Sequence, residues 1–262
     1  MKVIGGNYIL KIVKLYLIWS LIYFPLTVYS YYTNERTLSI DSLFILRGYL
    51  ITGEQEWSWH LWYLLALIYT VVIYRYILMN KWSDKKTFYF TITIAFVGFL
   101  LETFESIRPV KILLTLIGGT RNGLFEGFTF FMLGAFINRY HIDEWVLHNK
   151  KLVLVSLLLL LPLSTFLNLG QSFFLVHIVI GLVFSLLLAT SIKINVHSKI
   201  IRELGIWLYF CHMYAVFIVC ELWNKQTFKE RVIPVFILSF LVTGMLYYLS
   251  NKIVFIKRLI TS

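Results

Sequence analysis

Charge is scarce in this chain. Only 14% of its 262 residues are Asp, Glu, Lys or Arg, where soluble domains carry about 25%. Apolar residues take their place, at 59% of the chain, and the mean hydropathy is +0.78. A soluble domain of this length has no use for so much apolar surface, so a large part of it faces lipid. Cysteine is nearly absent. Cys211 and Cys220 lie nine residues apart in one apolar run, too far along a helix to bridge each other, and no Cys/His spacing of a zinc site occurs. That excludes a disulfide scaffold, and no metal site is expected. The sequence also lacks a phosphate-binding loop, a dinucleotide glycine pattern and a serine nucleophile elbow. Runs of like charge are missing too. The net charge of +11 therefore does not indicate nucleic acid: the basic residues punctuate apolar runs, where they set topology and meet anionic headgroups.

Eight apolar runs read as membrane spans: Leu15–Tyr32, Trp59–Met79, Thr87–Leu101, Gly123–Ile137, Leu152–Leu169, Ser172–Ile192, Leu204–Trp223 and Ile233–Ile256. The first carries Pro25, which a span tolerates when neighbouring helices satisfy the freed carbonyl. Between the first two, Leu43–Leu46 and Tyr49–Ile51 are too short to cross a core of about 30 Å, which predicts an interfacial or re-entrant helix. The expected fold is all-α. It is a polytopic membrane helix bundle of about eight spans plus that short helix, forming one integral membrane domain over residues 1–262. Its solvent partner is the lipid bilayer. With eight spans, sixteen lysines and arginines fall on the side of the termini and eight on the other. This bias places both termini in the cytoplasm of a multi-pass cell-membrane protein.

Three stretches could carry chemistry. The first, Trp57-Ser58-Trp59-His60-Leu61-Trp62-Tyr63-Leu64-Leu65, joins an acidic approach to a long apolar run. Tryptophan and tyrosine favour the bilayer–water boundary because each has an apolar ring and one polar group to keep wet. His60 among them is either an interfacial histidine or the mouth of a site. The second stretch is Gly118-Gly119-Thr120-Arg121-Asn122-Gly123-Leu124-Phe125-Glu126-Gly127. Gly118, Gly119 and Gly123 permit a tight turn. Gly123, Gly127 and Gly134 recur at helical spacing and read as a packing face. Glu126 sits about one turn inside a span, where a bare carboxylate costs about 2–3 kcal/mol or more, so it is expected to face a cavity or a cation such as Arg121. The third stretch is Gly205-Ile206-Trp207-Leu208-Tyr209-Phe210-Cys211-His212. Tyr209 and His212, three apart, share a helix face, while adjacent Cys211 and His212 point apart and make no catalytic pair. Outside these stretches, Glu102 and Glu105 read as one helix face beside Arg108, and His177 as a packed, hydrogen-bonded histidine.

In order and spacing, these stretches resemble the membrane acyltransferase 3 family. The resemblance is carried by His60-Leu61-Trp62-Tyr63-Leu64 opening a span, by the aromatic, glycine-bearing Phe128-Thr129-Phe130-Phe131-Met132-Leu133-Gly134, and by Leu208-Tyr209-Phe210-Cys211-His212. Lys14-Leu15-Tyr16-Leu17-Ile18-Trp19-Ser20-Leu21-Ile22-Tyr23 is similar to the membrane domain of vancomycin-resistance-type serine racemases. The family resemblance implies ten spans. It also implies transfer of an acyl group, often acetyl from acetyl-CoA, to a hydroxyl of a cell-envelope sugar or similar acceptor outside the membrane. The family pattern opens with an Arg/His span and a Ser-Gly span that have no match here, and Gly205 stands where many members have serine. The chain is thus expected to be an N-terminally shortened member whose missing spans, or a partner chain, lie elsewhere.

The expected function is therefore a membrane O-acyltransferase with acyl-CoA as donor substrate and no bound cofactor. A general base would be His60 or His212. Trp62, Arg121, Glu126 and Tyr209 would bind substrate, and all three stretches would converge on one cavity between spans two, four and seven. A small-solute permease, for an amino acid such as serine, is the alternative, with an inactive remnant as the third reading. The topology has a direct test. Reporter tags at either terminus should read as cytoplasmic and a tag near Glu54 as external; a protected Glu54 with exposed termini would reverse the charge argument.

Overall fold

The computed structural model describes residues 6–33, 38–156, 198–222 and 228–261. Almost all of the expected spans Leu152–Leu169 and Ser172–Ile192, and His177 with them, lie outside the described residues. Every regular element among the described residues is helical. That is the all-α architecture a lipid-facing chain requires, because a helix satisfies its own backbone where water is absent. Among the described residues, five stretches have the length and apolarity to cross a membrane: Asn7–Ser30, Trp59–Met79, Asp84–Thr103, Ile200–Glu221 and Glu230–Lys252. The protein is a multi-pass helical membrane protein. The described residues fall into two compact units, one within Ala66–Ile194 and the other within Gly5–Leu65 and Asn195–Ser262.

The unit within Gly5–Leu65 and Asn195–Ser262 is built on α1 (Gly6–Thr33). Pro25 lies inside it, and the nearby carbonyl of Ile22 accepts a hydrogen bond from Tyr214 Oη at 2.5 Å. The expected short helix is present as α2 (Leu38–Arg47), which ends in a π turn, Gly48–Thr52. There the chain doubles back. Gln55 Nε2 donates to the Ile45 carbonyl at 2.7 Å, and a Cβ on Gly48 would lie 1.8 Å from that nitrogen. Gly53, at φ 71°, supplies the left-handed residue that closes the turn. A 3₁₀ turn, Trp59–Leu61, then leads into α3 (Trp62–Met79).

The unit within Ala66–Ile194 continues along α3 into α4 (Asp84–Thr103), α5 (Arg108–Ile117), a π turn at Gly123–Gly127, α6 (Phe128–Arg139) and α7 (Ile142–His148). Ser83 caps α4 by accepting from Lys86 N–H. Asp84 in the first turn of α4 pairs with Arg139 in the last turn of α6 at 2.6 Å, so each charge offsets a helix dipole. Phe128, Met132, Phe136, Tyr74 and Ile77 form the buried core of this unit. α4 ends at Thr103. Glu105 therefore lies in the turn beyond the helix and shares no helix face with Glu102, whose carboxylate accepts instead from Thr120 Oγ1.

The glycine stripe resolves into two roles. A Cβ on Gly123 would lie 2.7 Å from the Ala66 carbonyl oxygen, and one on Gly127 would lie 3.0 Å from Thr70 Oγ1. Thr70 Oγ1 also donates to the Gly123 carbonyl at 3.0 Å. Gly123 and Gly127 thus admit α3 at close range, as small residues do between membrane helices. Gly134 does not belong to that face: a Cβ there meets nothing within 4 Å among the described residues. Gly118 and Gly119 make the expected tight turn at φ 76° and 79°.

Toward the C-terminus of the described chain, α8 (Ser198–Leu222) and α9 (Phe228–Lys252) pack along their length. α9 stops at Lys252, short of the expected Ile256, and a separate helix α10 (Val254–Thr261) follows. Trp19 Nε1 on α1 donates to the Leu259 carbonyl at 3.0 Å and ties α10 down. The glycine contacts generate a prediction. Gly123→Leu should overpack against the Ala66 backbone and lower stability by about 1–3 kcal/mol or more, whereas Gly134→Ala should leave it unchanged. Thermal aggregation in detergent reads both, and equal behaviour of the two variants would contradict the contact.

Candidate functional site

The candidate site is built on α8. Gly205, Leu208, Tyr209, His212, Val216 and Cys220 recur at helical spacing and line one side of a cavity of about 700 Å³. Val232, Val235, Phe236, Ser239 and Phe240 on α9, with Arg231, line the other. The volume suits a small-molecule ligand, and the lining is mainly apolar with a few polar groups, as such sites are. The polar groups among these residues are Tyr209, His212, Ser239 and Arg231. Arg231 Nη1 donates to Cys220 Sγ at 3.5 Å.

His212 has a defined tautomer. Its Nδ1 lies 2.9 Å from the Tyr209 carbonyl oxygen and 3.1 Å from that of Leu208. Both are acceptors, so Nδ1 carries the hydrogen. In the neutral ring the lone pair is then on Nε2. The shared face of Tyr209 and His212 orders a second histidine. Tyr209 Oη donates to the His60 backbone carbonyl at 2.6 Å. The His60 ring centroid lies 5.0 Å from His212, 5.3 Å from Tyr209 and 5.1 Å from Tyr23, each edge-to-face. His60 is only 6% exposed, and neither of its ring nitrogens has a hydrogen-bond partner among the described residues. It is not an interfacial side chain in contact with water. His60 does not line the cavity, whereas half-buried His212 does.

Trp62, at the start of α3, is half-buried. Its Cα would lie 2.5 Å from a Cβ on Gly53, so Gly53 lets the polar approach cross α3. Arg121 and Glu126 belong to the other compact unit. Arg121 is exposed just before the π turn Gly123–Gly127, and Glu126 is half-buried within it. Asn122 Oδ1 caps this turn by accepting from Leu124 N–H and Phe125 N–H. No group of His, Cys, Asp and Glu that could hold a metal occurs among the described residues.

Sequence reasoning missed three residues. Tyr23 is fully buried against His60 and donates to the Phe210 carbonyl at 2.7 Å. Nothing local distinguishes it from the other aromatics of α1. Ser239 and Arg231 carry no local signal: Thr243 and Ser250 are hydroxyls of the same helix, and Arg231 reads as one more basic residue at its end. The Tyr209–His60 bond can be tested by Tyr209→Phe. It should cost about 0.5–1.5 kcal/mol, read as a small fall in the thermal transition in detergent, and an unchanged transition would mean that the bond contributes nothing.

The known proteins that resemble this chain bear on the site. The acyltransferase domain of the acyltransferase 3 type matches residues 7–253, a range that includes every cavity-lining residue. The serine/alanine racemase of Enterococcus gallinarum is 27% identical over 226 residues. That alignment covers 80% of this chain but 31% of the racemase, so the chain spans about a third of that relative's length. No solved structure matches. On the extent of the domain match, the chain belongs to the acyltransferase 3 family.

Proposed function

We propose that this protein is an integral membrane O-acyltransferase with His212 as its general base. The supporting observation is the orientation of His212. Its Nδ1–H is committed to two backbone carbonyls, which leaves Nε2 as the proton acceptor of a ring that lines a cavity. A base has to be deprotonated and within reach of the hydroxyl it serves. The donor substrate is an acyl-CoA, with acetyl-CoA the expected form, and the acceptor is a hydroxyl of a cell-envelope sugar or a similar polar molecule. In the net transfer a C–O bond forms to the acceptor, the C–S bond of the donor breaks, and a hydroxyl proton passes through His212 Nε2 to the departing thiolate.

His60 has a supporting role in this reading. Its ring packs edge-on against His212, and its carbonyl anchors Tyr209, so it holds the base in its rotamer. Trp62 opens the helix that follows. Both termini are proposed to be cytoplasmic, so the donor arrives from the side of Gly205 and the acceptor from the side of Cys220.

The test uses the full chain in lipid nanodiscs, with labelled acetyl-CoA and a panel of sugar acceptors. His212→Gln should lower transfer by about 10²–10⁴-fold, the usual worth of a general base. His60→Gln should lower it less. Transfer that survives in His212→Gln would remove His212 from the role. Accumulation of unmodified serine in sealed vesicles, with no acyl transfer, would instead favour the permease alternative.

A further inference from the structure

We infer that Ser239 is a second catalytic residue of this site, a nucleophile activated by His212 that carries the acyl group between donor and acceptor. The inference rests on the acyl-transfer reading above. It starts from register. Arg231 Nη1 reaches Cys220 Sγ at 3.5 Å, which fixes one level of the α8–α9 pair. His212 lies eight residues before Cys220 on α8, and Ser239 lies eight residues after Arg231 on α9. Both steps move about 12 Å along the two helices, so the two residues stand within about a turn of each other. Both line the same cavity.

Ser239 is one of five buried hydroxyls without a partner among the described residues, with Ser20, Ser58, Thr129 and Thr243, and it is the one among them that lines this cavity. A serine inside a helix usually returns its hydroxyl to a carbonyl of the preceding turn. Ser250 does so to Tyr247, and Ser156 to Leu152. Ser239 is 4% exposed, and its Oγ has no hydrogen-bond partner among the described residues. A buried hydroxyl without a partner is costly, about 1–3 kcal/mol, and such a group in a cavity wall is suited to a ligand. The nearby base supplies the rest. His212 Nε2 bears the lone pair, and His212 is the one imidazole among the cavity-lining residues.

The chemistry takes two balanced steps. First, Ser239 Oγ attacks the thioester carbonyl of acyl-CoA while its proton moves to His212 Nε2. The C–S bond breaks, and the thiolate leaves with that proton as free CoA. The acyl group is now an ester on Ser239. Second, the acceptor hydroxyl gives its proton to Nε2 and attacks the ester carbonyl. The bond to Oγ breaks, and Oγ recovers the proton. Splitting the transfer in this way lets donor and acceptor use the one cavity in turn.

A fluorophosphonate with a hydrocarbon tail reports an activated serine whatever its natural substrate. The full chain in nanodiscs, treated with this probe and digested, should carry the adduct on the Ser239 peptide. His212→Gln should slow labelling at least tenfold, and Ser239→Ala should abolish it. Incubation with labelled acyl-CoA and no acceptor should place the label on the same peptide. An unlabelled Ser239 in wild-type protein that remains monodisperse would overturn the inference without recourse to any variant. So would Ser239→Ala that transfers acyl groups at the wild-type rate, which would leave the acyltransferase reading standing. An adduct on Ser239 together with no turnover of any acyl-CoA would do the reverse. The serine would be confirmed as a nucleophile, and the donor assignment would fall.

Discussion

Four tyrosine hydroxyls and one indole that are withdrawn from water find their acceptors in backbone carbonyls on other segments. Tyr16 reaches Tyr49, Tyr23 reaches Phe210, Tyr209 reaches His60, Tyr214 reaches Ile22, and the Trp19 indole reaches Leu259. A helical carbonyl has a second lone pair after its own helix is satisfied, so these bonds form without breaking the ladder. Each links segments distant in sequence. Together they hold α1, α8, α10 and the entry to α3 in one arrangement, and they do so where apolar surface supplies little driving force between helices.

The histidine pair depends on that arrangement. Tyr209 fixes the backbone of His60, Tyr23 closes on its ring, and the α8 carbonyls orient His212. Rings packed edge-to-face have a preferred geometry, which adds to the area they bury. Tyr209, His212 and Ser239 share the wall of one cavity whose remaining lining is mainly apolar. A functional group set among apolar neighbours on rigid helices has few rotamers open to it, and that is the condition for oriented chemistry.

The unit within Ala66–Ile194 relies on a different device, close backbone approach. Gly123 and Gly127 bring a π turn against α3 near Ala66 and Thr70. The Asn122 cap satisfies the first amides of that turn. Neither device would survive larger side chains at the glycines, so this part of the fold is limited by volume, while the tyrosine-linked part is limited by hydrogen-bond geometry.

Much of this was legible in the sequence. Apolar runs of membrane length, bounded by charge and tryptophan, defined an all-α membrane protein, since no other backbone is stable in lipid except a closed barrel. The spacing of Tyr209 and His212 placed them on one face, because helical periodicity is a local property. The short runs around Leu43 and Tyr49 marked a helix that does not cross. Facing was different. Helices that are apolar all round carry no stripe to show which side meets a neighbour, so Gly134 looked equivalent to Gly123, and Ser239 looked like any small residue in a span. Only the tertiary structure decided that His60 stands edge-on to His212, that Tyr209 bonds the His60 carbonyl, and that Ser239 and His212 share a cavity. These are pairings between segments far apart in the chain, set by which helices pack and in what register, and no local pattern encodes them.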